Sequence, residues 1–188
     1  VLRELGVTLK IVLAATFAAV AYGVAHDMVT AHLCLEYFTI GHPNLLRVDP
    51  HDSWPVWQAL LWGVLATWWV GAIAGVLVAA VSRLGGEPRL GPSALWRPVL
   101  RIYAATASGA LLFGLLGAAL ATGGAIHLVP RLAEAVPSQR HVAFLADAWA
   151  HGAAYAVGGL GVLITLGHLV MLRRRRALAP ASVEDPAP

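Results

Sequence analysis

Residues 11–43 read IVLAATFAAVAYGVAHDMVTAHLCLEYFTIGHP. The first fifteen carry no charge and follow Lys10. The next eighteen hold three histidines, Asp27, Glu36, Tyr37 and the chain's single cysteine, Cys34. An apolar run flanked by a basic residue is the pattern of a bilayer-crossing helix, because hydrocarbon offers a charge no partner. Ionisable groups set against the end of such a run cost free energy unless they are paired, hydrated or bound to a metal. The stretch therefore points to a membrane-spanning fold and to a candidate functional site at one end of it.

Composition agrees with the first of these. Hydrophobic residues make up 59% of the chain, charged residues 12%, and mean hydropathy is +0.71; soluble domains carry roughly 25% charged residues. At ~20 apolar residues per crossing, 188 residues supply about four spans. The expected fold is all-α, a single integral membrane four-helix bundle with a periplasmic cap segment after the first span. The spans are expected at about 7–25, 54–81, 98–126 and 144–172, with the cap at 26–53. The tail 177–188, ALAPASVEDPAP, is disordered by composition. The first segment has the outline of a secretory signal, and it is read as an uncleaved span. Pro55 suits the first turn of the second span, and Trp54 and Trp57 suit a membrane interface. Gly71 and Gly75 form a GxxxG that serves either internal packing or a dimer.

A net charge of +3 and a pI near 9.5 raise the question of nucleic acid. The basic residues sit at the ends of apolar segments, which is a topology signal and excludes that reading. One side holds Arg3, Lys10, Arg83, Arg89, Arg97, Arg101 and Arg173 to Arg176; the other holds only Arg47, Arg131 and Arg140. Both termini are thus expected in the cytoplasm. The same alternation places every histidine but His168 at or beyond the periplasmic boundary, together with Asp27, Glu36, Asp49, Asp52, Glu134 and Asp147. One cysteine excludes an internal disulfide, a CxxC pair and a thiolate-rich metal site.

Rise per residue sets the depth of these groups. The climb from Lys10 to His26 is ~24 Å and that from His151 to Arg173 ~33 Å, so both histidines fall near the outer edge of the hydrocarbon and could face each other. His32 and Glu36 are four apart, as are Asp147 and His151, so each pair would share a helix face. Imidazole and carboxylate donors on facing helices can build a metal site for zinc, iron, manganese or copper. The candidate ligands are His26, His32, Glu36, His127, Asp147 and His151, with Asp27 as a base. No HExxH or paired ExxH occurs, so neither the zincin nor the carboxylate di-iron signature is met.

The pattern HD, TA, C, EYFT and GHP over residues 26–43 resembles an uncharacterised bacterial family of small four-span inner-membrane proteins. It rests on His26, Asp27, Thr30, Cys34, Glu36, Tyr37, Phe38, Gly41, His42 and Pro43; where that family admits arginine, this chain has His32. The resemblance implies a bacterial inner-membrane location and no particular activity. The expected function is a periplasm-facing metal site, with a metal-dependent membrane enzyme as one use of it and enzyme activity left open. The alternatives are an ion or proton channel, transporter or accessory subunit, and a bis-histidine haem between His26 and His151. The expected partners are the lipid bilayer and either a second copy or a larger membrane complex.

Overall fold

The computed structural model describes residues 2–43, 45, 53–86 and 88–178. Among them all regular structure is helical: α1 (Leu2–Leu33), α2 (Leu35–Thr39), α3 (Pro55–Arg83), α4 (Trp96–Thr122), α5 (Pro130–Ala135) and α6 (His141–Leu178), with short 3₁₀ turns at Pro92–Ala94 and Ser138–Arg140. Four of these segments are long and apolar enough to cross a membrane. The fold is that of an integral membrane four-helix bundle.

The bundle is made of two tightly packed antiparallel pairs. In the first, α1 lies along α3, and glycines bring the backbones together. A Cβ on Gly71 would stand 2.7 Å from Thr16 Cα, and one on Gly75 2.8 Å from Val12 Cα. Gly71 and Gly75 therefore serve internal packing, not a dimer face. In the second pair, α4 lies along α6, where a Cβ on Gly117 would stand 2.8 Å from the Trp149 side chain. Small residues suit this role because lipid tails are as apolar as leucine, so helices in hydrocarbon associate through close packing. Large apolar side chains such as Phe17, Ile73, Leu115 and Leu163 point outward and are exposed.

Contact between the pairs is sparser and partly polar. The Tyr103 hydroxyl on α4 donates to the Ala18 carbonyl on α1. At one end, the Arg173 guanidinium on α6 donates to the carbonyls of Val81 (2.7 Å), Leu84 (2.8 Å), Gly86 (2.5 Å) and Pro88 (3.0 Å). A cation there complements the negative end of the α3 dipole. At the other end, Arg140 donates to the Leu33 carbonyl at 2.7 Å and to Glu36 Oε2 at 3.0 Å. It thereby caps α1 and holds α2.

Several boundaries differ from those the sequence suggests. The first helix does not stop at residue 25. HDMVTAHL contains neither glycine nor proline, and Asp27, Thr30 and Ala31 are buried, so the polar residues continue the helix and turn into the bundle. The break falls at Cys34, in extended conformation with φ −147° and ψ 91°. The cap is correspondingly shorter, and its helix is α2. The third long helix ends at Thr122, where Gly123 follows and Gly124 takes φ 72°. Ala177 and Leu178 extend α6, whereas 179–188 and the cap residues Arg47, Asp49, His51 and Asp52 lie outside the described residues.

Candidate metal centre

The seam between the two pairs holds the cluster. His26 and Asp27 come from α1 and His151 from α6. One donor atom from each lies within 4.8 Å of the other two. His151 Nε2 is 3.2 Å from Asp27 Oδ1, and both side chains are largely buried. The His26 and His151 rings meet edge to face with centroids 4.6 Å apart.

The other hydrogen bond of His151 fixes its chemistry. Its Nδ1 lies 2.9 Å from the backbone carbonyl of Asp147. A carbonyl can only accept, so Nδ1 carries the hydrogen and Nε2 of the neutral ring presents its lone pair. Nε2 meets Asp27 Oδ1 as the N–H donor of an imidazolium or, in the neutral ring, across a shared cation. A proton would satisfy His151 and Asp27, at the long end of the hydrogen-bond range. It would leave His26 Nε2 as it stands, buried with no partner. One donor atom each from His26, Asp27 and His151 could hold a metal ion. Two donors at ~2.0–2.2 Å from a tetrahedral ion are themselves roughly 3.3–3.6 Å apart, slightly more than the observed 3.2 Å. A backbone carbonyl accepting the N–H of a ligating imidazole is also the usual outer support of such a ligand.

Aromatic rings enclose the cluster. Tyr22 stacks on His26 with centroids 5.8 Å apart. From α2, Tyr37 lies 4.6 Å and Phe38 5.6 Å from the His151 ring. His42 donates from Nδ1 to the Tyr37 carbonyl at 2.9 Å and packs against Trp62. Gly41 permits this closure, since a Cβ there would meet the Tyr37 carbonyl and stand 3.0 Å from the Phe144 ring. Burial pushes the Tyr37 phenol above its ordinary value, and Asp147 and Asp27 add to the shift. Two further buried polar atoms near the cluster have no partner, Tyr22 Oη and Asp147 Oδ2. Ser82 Oγ, Arg83 Nε and Thr106 Oγ1 are likewise buried without a partner elsewhere in the bundle.

Not every expected ligand comes here. His32 is exposed, with Nδ1 2.6 Å from the Met28 carbonyl. Glu36 is paired with Arg140 and accepts from the Cys34 thiol at 3.4 Å. The helix breaks at Cys34, so these two residues share no helix face. Burial opposes the charge on Glu36, but its own backbone N–H, Arg140 and Cys34 together hold its carboxyl below the ordinary value. His127 is exposed in the connection after Gly124. Asp147 is almost fully buried, at 2% exposure, but lies outside the three-residue group; its backbone, not its carboxylate, holds His151. Asp27, expected as a base, lies within the three-residue group. Burial pushes the Cys34 thiol up to about 12, so it remains protonated and is no thiolate donor. A haem between His26 and His151 does not fit: axial imidazoles lie on opposite faces of the macrocycle, whereas these rings touch edge to face.

The enclosing residues were harder to read from sequence. Tyr22 stands four residues before His26, a helical neighbour. Tyr37 and Phe38 read as interface anchors, and nothing in their spacing places them over a histidine more than a hundred residues away. No protein-family model matches the chain, and neither a curated protein nor a solved structure is detectably similar to it.

Proposed function

We propose that this chain is a bacterial inner-membrane protein that binds one transition-metal ion through His26, Asp27 and His151 at the periplasmic mouth of its bundle. The reading is supported by one observation: one donor atom each from His26, Asp27 and His151 lies within 4.8 Å of the other two, and His26 Nε2 is buried without a protein partner. Two imidazoles and one carboxylate suit zinc, iron, manganese or copper. Three protein ligands leave coordination positions open, as in catalytic rather than structural sites. The bound ion would supply Lewis acidity at the outer edge of the bilayer. Asp147, one turn before His151 with a free buried oxygen, is the carboxylate available as a base in such a site. The distribution of Lys and Arg supports the orientation, with both termini cytoplasmic. The 26–43 signature supports the site: His26 and Asp27 supply donors, Cys34 and Glu36 hold α2, and Tyr37, Phe38, Gly41 and His42 form the cover.

Elemental analysis after purification from metal-replete cells tests the proposal. The expected result is about one ion per chain and loss of that ion in His26→Ala/His151→Ala. Protein that emerges without a transition metal, or a double variant that retains it, would overturn the reading.

A further inference from the structure

At the end of the bundle opposite the cluster, several arginines are consumed by the fold. Arg83 and Arg89 pair with Glu4, and Arg173 serves backbone carbonyls. Arg97 and Arg101 are different. Both are exposed on α4, and neither makes a hydrogen bond or ion pair among the described residues. Being four residues apart, they share one face of the helix.

Their height explains why this matters. The Tyr103–Ala18 contact sets the level of α4 against α1. Counting down from it, Lys10 lies ~12 Å lower, Arg97 ~9 Å lower and Arg101 ~3 Å lower. Exposed Lys10 and Trp96 therefore stand at about the same level, and Trp prefers the headgroup boundary. Arg97 sits on that boundary, and Arg101 reaches down to it along its own stem. A guanidinium cannot shed its proton, so two full charges meet the edge of the hydrocarbon with no anion to receive them among the described residues. The anion held at that depth is a lipid phosphodiester, and guanidinium binds phosphate through two parallel N–H donors.

We propose that Trp96, Arg97 and Arg101 form a seat for the headgroup of an anionic phospholipid, with Lys10 adding charge from α1. The seat stands independently of the metal site. Arg174 to Arg176 follow the Arg173 clamp and project beyond the boundary, so they contribute no part of it.

Native mass spectrometry of the detergent-purified full chain, mixed with equal amounts of phosphatidylglycerol and phosphatidylcholine, tests the seat. The expected result is several-fold preferential retention of phosphatidylglycerol. It should fall to the phosphatidylcholine level in Arg97→Gln/Arg101→Gln, persist in Arg174→Gln/Arg175→Gln, and resist excess inorganic phosphate. Equal retention of the two lipids, an unchanged preference in the Arg97/Arg101 variant, an equal loss in the Arg174/Arg175 control, or displacement by phosphate would overturn it. Both variants alter exposed side chains, and a monodisperse elution profile verifies that each is folded.

Discussion

Gly63→Ala should disturb the metal centre from across the bundle. Gly63 on α3 faces α1 at Val24, two residues before His26. A Cβ there would stand 2.6 Å from Val24 Cα and 2.7 Å from Val24 N. Carbon atoms pack at about 3.5–4.0 Å, so the two helices must part by roughly 1 Å. Both obstructing atoms are backbone, so no rotamer change relieves the clash. Overpacking of this kind costs about 1–3 kcal/mol. The displacement reaches His26 and Asp27, whereas a ligand set must hold its geometry to about 0.5 Å. Metal affinity should therefore fall about 10-fold or more, the scale seen when a group that orients a ligand is lost. The assay is a cobalt titration combined with thermal melting in detergent. Gly6→Ala, with nothing within 4 Å of its new Cβ, is the control. If Gly63→Ala melts and binds metal as Gly6→Ala does, the close α1–α3 approach does not position the site.

Three further outcomes follow from the cap and the seam. Cys34 is buried and its thiol is pushed up to about 12, so it should resist maleimide at neutral pH; Arg140→Ala, which frees Glu36 and the end of α1, should speed labelling several-fold. Because the Glu36 carboxyl is held below its ordinary 4.5, its contribution to the cap is present above that value and lost as pH falls through the lowered one. The protection of α2 amides, measured against their intrinsic exchange rates at each pH, should therefore fall on acidification below 4.5, and Glu36→Gln should flatten that dependence. Tyr103→Phe removes one hydrogen bond between the helix pairs and should destabilise the bundle by about 0.5–1.5 kcal/mol, read as a lower melting temperature with metal stoichiometry retained.

The four long helices were legible because hydrocarbon imposes a length and a composition on anything that crosses it. The approach of His26 and His151 was legible for a related reason, since rise per residue from the basic flanks sets their height. What sequence did not show was azimuth. His32 and Glu36 share a face only if the helix passes through Cys34, and it does not. Asp147 and His151 do share a face of α6, yet it is the Asp147 backbone that holds the ring, a bond that spacing does not separate from a carboxylate contact. That Asp27 and not Asp147 joins the two histidines has the same origin. Their positions along the helices could be counted, but which of them turned towards His151 depended on how two separately packed helix pairs met.

X-ray absorption at the edge of the bound metal tests the central claim most directly. A first shell of two imidazoles and carboxylate oxygen at about 2.0–2.2 Å, with one imidazole lost in His151→Ala and the carboxylate oxygen lost in Asp27→Asn, is the predicted result. A shell that contains sulfur, or one that is identical in wild type and both variants, would contradict the assignment of His26, Asp27 and His151 as the ligands.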